Sequence, residues 1–285
     1  MTRGARIAAT VLVLLHLAAA AAPLLAPSAP QTQHRAHPYA PPGGEFPLGT
    51  DGLGRDVLSR TLYGGRVSLF AGLAAALVAV SLGGVIGGVS GLVGGRVDRA
   101  LTRCTEVVMS LPWLYLLLAV RAVLPLSLGP VAAFMLVVVV IGCVGWAQPA
   151  RLVRSVVLSA REHDAVRAAR GFGASGWWIL RRHLLPAASG VLLTQLALLV
   201  PQFILAEVTL SFVGLGVGEP AASWGGMLAE LRQPYVLRHA TWLIAPAIPL
   251  ILSVFCYYRL TADHAEGRGS SWWGATSRWR IRWSR

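Results

Sequence analysis

The sequence predicts an all-α polytopic membrane protein with about six transmembrane helices and both termini in the cytoplasm. Three observations carry this reading. Hydrophobic residues make up 55% of the chain and charged residues 13%, about half the charged share of an ordinary soluble domain. Several apolar runs exceed the roughly 18 residues of low charge that mark a membrane helix. The 25 basic residues are all arginine and cluster between alternate apolar runs, as cytoplasmic loops do.

The first run, Ile7 to Ala26, follows Arg3 and Arg6. Its small residues near Ala20 and Ala22 are compatible with a signal peptide. Its length, and the spans that follow, favour a first transmembrane helix within residues 1–26. Residues 27–66 read as an external segment. A Pro/Gly/His-rich linker without regular structure runs to Gly44, and FPLGTDGLGRD then turns at Pro47 and Gly49 and opens a helix near Asp56, a residue suited to capping. The core, residues 67–260, supplies the other five spans: Val67 to Val93, Thr105 to Leu124, Pro130 to Pro149, Ala188 to Val213 and Ala240 to Leu260. Pro112, Pro201, Pro246 and Pro249 fall inside or at the ends of these runs, as membrane helices tolerate. The second span repeats glycine at GxxxG spacing (Gly83/Gly87, Gly84/Gly88, Gly87/Gly91), which lets helix backbones approach closely in lipid. A nucleotide-binding glycine loop belongs after a strand in a polar context instead.

With the N-terminus inside, eighteen of the 25 arginines fall on cytoplasmic segments. The absence of lysine excludes a P-loop and Schiff-base chemistry, so any ATP that drives this chain is hydrolysed on another subunit. Cys104, Cys143 and Cys256 show no paired spacing and read as buried small hydrophobes. His34 and His37 lack the companions of a metal site. No metal and no cofactor are expected.

The loop from Arg151 to Pro186 carries seven arginines. Its local reading is a helix from Ser155 to Gly171, a stop at Gly173, a cap at Ser175, and a second short helix closed by Pro186. Phe172, Trp177, Trp178 and Ile179 are apolar contact residues around the turn. Such a loop could lie on anionic lipid; a compact turn presenting an apolar knob favours docking to a cytoplasmic partner.

This loop resembles the signature E-A-A-x3-G-x9-I-x-L-P of permease subunits of binding-protein-dependent ABC importers. Ala168, Ala169, Gly173, Leu185 and Pro186 stand in register, with Arg167 at the Glu position and His183 at the Ile position. FPLGTDGLGRDVLSRTLYGGRVSL, with Phe46 where His is usual, and AEVTLSFVGLGVGEPAASWGGMLAE resemble segments of the permeases for dipeptides, oligopeptides and nickel. The resemblance implies that Arg167, Ala168, Ala169, Gly173, Ala174, Ser175, Leu185 and Pro186 belong to a coupling helix seated in a groove of an ATPase subunit. It also implies a second, homologous permease subunit, cytoplasmic ATP-binding subunits and an extracytoplasmic solute-binding protein. Transport by alternating access across the inner membrane follows, with peptide as the solute and nickel or another small solute as the alternative.

Other residues stand apart from the signature. Glu207 lies inside an apolar run, where an ionisable group suggests a pathway or a buried pair; Arg121 is its candidate partner. Asp51, Arg55, Asp56 and Arg60 are expected to cap helices and form surface pairs, or to build a structured element on the outer face. Residues 261–285 form a basic tail that interleaves Trp272, Trp273, Trp279 and Trp283 with arginines, suited to the lipid interface rather than to nucleic acid. A secondary transporter would show inverted repeats, and a membrane enzyme a convergent cluster that Asp98, Glu106 and Glu207 do not make.

Overall fold

The computed structural model describes residues 2–123 and 128–276, the side chains of the final stretch as far as Ala262. Every regular element among them is helical. Four helices are long and apolar enough to cross a membrane singly, and six spans result if each of two bent pairs counts as one. The chain is therefore an all-α, multi-pass membrane protein.

Helix α1 (Arg3–Ala20) ends in a short turn, α2 (Ala22–Leu25). The following linker has no helix or strand, yet it is held. His34 N–H donates to the Gly54 carbonyl at 2.9 Å, Tyr39 N–H to Asp51 at 3.0 Å and Thr50 N–H to Ala40 at 2.9 Å. Gly54, at φ 72°, is required here because the His34 carbonyl occupies the place of a Cβ.

Helix α3 (Val57–Val93) begins ten residues before the expected apolar run and so inside the expected external segment. Asp56 starts it, its carboxylate accepting the Ser59 N–H at 2.7 Å and the Ser59 hydroxyl at 2.6 Å. At 37 residues it is about 55 Å long, so it reaches well past the ~30 Å hydrocarbon layer.

The third and fourth expected spans are each broken. Helices α4 (Gly95–Ser110) and α5 (Trp113–Val123) meet at 92°, because Pro112 forces Leu111 into an extended conformation (φ −85°, ψ 137°) and offers no N–H. Leu124, the expected end of this span, lies outside the described residues. Helices α6 (Pro130–Val144) and α7 (Ala147–Ala160) meet at 45° around Gly145, where the Phe203 ring occupies the place of a Cβ.

The loop helix expected over Ser155 to Gly171 is also divided. α7 stops at Ala160, and α8 (Asp164–Gly171) starts after a turn. His163 Nδ1 lies 3.2 Å from the Ser159 carbonyl and 3.1 Å from that of Ala160, taking the last acceptors of α7. Pro186 does not close the next helix. α9 (Gly176–Ile179) passes through a π-turn at Leu180–Leu184 into α10 (Leu185–Val213) without interruption. A proline ring clashes with the carbonyl four residues back, and the widened π-turn accommodates it. A short helix α11 (Trp224–Ala229), a second, α12 (Pro234–His239), and a 3-10 turn at Thr241–Ile244 lead into α13 (Ala247–Thr276). Residues 277–285, with Trp279 and Trp283, lie outside the described residues. Of the three cysteines only Cys256 is buried; Cys104 and Cys143 are exposed on this chain.

Helix α3 is the centre of the bundle, packed by α7, α10, α6 and α1. The glycine stripe is where it meets α7. A Cβ on Gly83 would stand 2.5 Å from Pro149 Cβ, one on Gly87 would fall on the Ala150 carbonyl, and one on Gly91 would stand 2.7 Å from Val157 Cγ1. Gly84 differs, because its nearest neighbour is a Leu192 methyl at 3.4 Å. Gly87→Val is expected to cost about 2 kcal/mol or more by overpacking and to lower the unfolding temperature in detergent, with Gly84→Ala close to the parent. Equal stability of the two variants would contradict the packing.

Candidate functional site

Three groupings of functional side chains emerge, one at each end of the bundle and one within it. At the end that carries α8, the turn is built by a Schellman motif. Gly173, at φ 82°, donates its N–H to the Arg170 carbonyl at 2.9 Å, and Ala174 N–H reaches the Ala169 carbonyl at 3.0 Å. Phe172 N–H bonds the Ala168 carbonyl at 3.0 Å. Nothing lies within 4 Å of a Cβ on Gly173, so backbone conformation rather than space demands glycine there. Ser175 caps the next helix, accepting the Trp178 N–H at 3.3 Å.

Part of the signature thereby gains a local reason. Ala169, Ala174 and Leu185 pack against a small core of Val153, Val157, Val166, Ile179, Leu180 and Leu184. Arg167, Ala168, Ser175 and Pro186 are exposed. Phe172 is 93% exposed and Trp177 64%, so the turn presents an aromatic knob while Ile179 turns inward. Arg167, Arg170, Arg181 and Arg182 are exposed around it.

The loop is fixed to the bundle by two arginines. Arg161 Nη1 donates to the Gly91 carbonyl at 3.1 Å. Arg154 forms a bidentate pair with Asp98, Nε to Oδ1 at 2.5 Å and Nη2 to Oδ2 at 2.6 Å, and Ser90 Oγ donates to the same carboxylate at 2.6 Å. Helices α3, α4 and α7 are thus joined immediately behind the knob.

The opposite end holds a network of ions. Asp51 pairs with Arg55 at 2.6 Å and lies 3.5 Å from Arg60 Nε; Glu219 takes Arg55 at 2.7 Å and Arg60 at 2.9 Å. The side chains of Asp51, Arg55 and Arg60 are 2%, 8% and 2% exposed, so the expectation of surface pairs is corrected: the segment folds inward against the loop that carries Glu219. Burial opposes the charge on Arg55, but Asp51 and Glu219 outweigh it and its pKa is raised. Burial, with Asp51 nearby, raises that of Glu230. Glu219 and Glu230 escaped the sequence reading, their only signal being acidic residues in a loop distant in sequence from two unpaired arginines.

Within the bundle, Glu207 is fully buried on α10 and Arg121 is 1% exposed on α5. The structure does not bring them together as an ion pair. Glu207 Oε1 accepts the Ser211 hydroxyl at 2.6 Å, and Ser68 and Ser223 face the same carboxyl. Ser68 Oγ also accepts the Trp224 N–H at 3.2 Å, and the Trp224 indole donates to the Thr61 carbonyl at 2.9 Å. Glu207 therefore sits at the seam that holds α11 against α3 and α10. No group of three or more metal-ligating residues occurs among the described residues.

With this geometry in view, residues 83–262 match the family described as the binding-protein-dependent transport system inner membrane component. The chain belongs to this family. It is a permease component of an ABC importer. The dipeptide transport system permease protein of Bacillus subtilis (strain 168) is 37% identical over 248 residues, covering 87% of this chain and 75% of the relative. The oligopeptide transport system permease protein of Escherichia coli (strain K12) is 39% identical over 251 residues, 87% and 80% of the two chains. That of Salmonella typhimurium is 41% identical over 211 residues, 74% and 67%. The match covers the α8 turn, the π-turn and Glu207, whereas the ion network begins before it.

Removing one partner of a buried ion network strands the others. Asp51→Ala is expected to destabilise the permease by about 3 kcal/mol, read as a lower unfolding temperature in detergent, whereas Glu106→Ala, which removes the exposed partner of Arg103, should shift it by less than about 0.5 kcal/mol.

Proposed function

We propose that this permease is one half of the membrane pathway of a peptide importer in the inner membrane, and that its α8 turn couples the pathway to a separate ATPase subunit. The observation that carries the coupling role is the exposed Phe172–Trp177 knob on a turn fixed to α3 and α7. The relatives, dipeptide and oligopeptide transport proteins, support peptide as the cargo.

The sidedness follows from charge. Gly4 at the start of α1 lies beside the Arg259 side chain on α13, whereas Ala19 at the other end of α1 meets Gly65 near the start of α3. Arg3, Arg6 and Arg259 thus share an end with the α8 turn, and the positive-inside rule makes that end cytoplasmic. Both termini are then inside, and the ion network of Asp51 and Glu219 faces outward toward a solute-binding protein.

In the working cycle a homologous second permease pairs with this one across the pathway. With no lysine for a P-loop, the energy arrives from cytoplasmic ATP-binding subunits. Their closure on ATP draws the two coupling turns together. Arg161 and the Arg154–Asp98 pair pass that displacement to α3, α4 and α7, and the halves rock between inward-open and outward-open states. Arg167 to Pro186 form the docking element. Glu207 positions α11 beside the pathway and carries no proton relay.

The partners are testable directly. Purification of the tagged permease from native membranes in mild detergent is expected to yield a second permease and one or two ATP-binding subunits in stoichiometric amounts; a chain that stays alone after cross-linking in the membrane would overturn the assembly. Gly173→Pro removes the N–H that bonds Arg170 and forbids the positive φ. It is expected to abolish substrate-stimulated ATP hydrolysis by the assembled complex while leaving membrane insertion intact. Gly173→Ala, costing roughly 1–2 kcal/mol of turn stability, should weaken it. Normal transport by Gly173→Pro would remove the turn from the coupling path.

A further inference from the structure

Both elbows open onto one hollow. Its volume is about 360 Å³, and it is lined by Pro112 and Trp113 from the α4/α5 break, Gln148 from the start of α7, and Gln202 and Phe203 from α10. The remaining wall is apolar, and among the described residues no charged side chain borders it.

The two glutamines are the anomaly. Among the described residues neither carboxamide has a hydrogen-bond partner, although each offers two donors and an acceptor. Gln148 is exposed on this chain and Gln202 half-buried. An unsatisfied amide facing lipid is strongly disfavoured, and broken helices at membrane depth occur where they line a water-filled cavity. At the first elbow Pro112 supplies no donor, and among the described residues the N–H groups of Trp113 and Leu114 have no backbone acceptor. A second hollow of about 550 Å³ adjoins the first at Met109 and is polar, with Thr102, Thr105, Glu106 and Arg151 in its wall. The two share Met109 in their walls and lie as a trough along the α4–α7 side, neutral and apolar first, mixed polar and apolar nearer the coupling turn.

From this trough we infer a peptide subsite within the permease: Gln148 and Gln202 hold one amide unit of the moving peptide, and its neighbouring side chain rests on Leu111 and Trp113, the exposed apolar residues of the wall. The inference rests on the peptide reading given above. A carboxamide complements both the N–H and the carbonyl of a peptide bond, and two of them in a neutral, apolar hollow recognise the backbone common to all peptides. Apolar residues are welcomed there, and a charged residue is passed without being trapped by an opposite charge. Gln148 and Gln202 are thereby binding residues for the peptide backbone during transport.

The test uses the complete complex, with its second permease, ATP-binding subunits and solute-binding protein, in proteoliposomes. Uptake of trileucine by the unaltered complex is measured first. Absence of uptake, with transport of some other solute, would overturn the peptide reading and this subsite with it. Given uptake, the double variant Gln148→Leu/Gln202→Leu is expected to import trileucine at least ten-fold more slowly than the parent at equal amounts of assembled complex. The near-isosteric Gln148→Glu tests the position where the double variant assembles poorly. It should shift the ratio of lysine-containing to aspartate-containing tripeptide uptake at least five-fold toward lysine. An unchanged charge preference in Gln148→Glu, with normal trileucine uptake by the double variant, would leave the peptide reading standing and overturn the subsite alone.

Discussion

The approach of α3 to α7 is the constraint on which the rest of the permease depends. Between helices in lipid there is no hydrophobic force, so association rests on van der Waals contact and polar bonds at short range. Gly83, Gly87 and Gly91 remove the side chains that would keep the two backbones apart. Everything at the α8 end is then hung from this seam. Arg161 reaches the Gly91 carbonyl only because the helices are that close, and Arg154 reaches Asp98 across the same junction. A looser seam would leave the turn folded but disconnected.

The turn itself was legible because its determinants are local. A glycine at positive φ, a capping serine and two small residues flanking the stop are all within seven positions, and each plays the part that its chemistry suggests. The expected helix boundaries failed where a side chain intervened from elsewhere or from within the turn. The chain turns after Ala160, where the Glu162 and His163 N–H groups and the His163 ring all meet the final carbonyls of α7, and a π-turn carries the chain past Pro186. Proline makes the same point across the bundle. Pro201 is buried within α10, a helix packed against α3 and α13, and the helix continues. Pro112 follows an exposed Leu111 with no such support, and the span breaks at nearly a right angle. Sequence presents the two prolines alike; only the neighbours differ.

The buried groups show a similar division. Glu207 was conspicuous in its apolar run, yet its partners are hydroxyls rather than Arg121, because Ser68 and Ser223 reach it from α3 and the segment before α11. Asp51, Arg55 and Arg60 look like surface charges until Glu219, more than 150 residues on, folds over them. A guanidinium with several donors can satisfy two carboxylates at once, which lets two arginines and two acids close a network at small cost in desolvation compared with isolated charges. Such pairings depend on tertiary placement and leave little trace in sequence order.

The distribution of these interactions bears on how the permease can move. The strong ionic ties lie toward the two ends, Asp51–Arg55–Glu219–Arg60 at one and Asp98–Arg154 at the other. Between them, α4/α5 and α6/α7 are broken at sites where a proline or a glycine already interrupts the helix. Ion pairs with short bidentate geometry resist rearrangement, whereas a helix elbow changes its angle by altering a few backbone torsions. Under the proposed cycle the ends therefore travel as blocks and the elbows absorb the rotation. The same elbows line the hollow that holds Gln148 and Gln202, so a change of angle there alters the shape of that hollow. A coupling displacement of a few ångströms at α8 needs no separate relay: the tie to α7 delivers it to the elbow at Gly145, and the cavity wall moves with the helix that forms it.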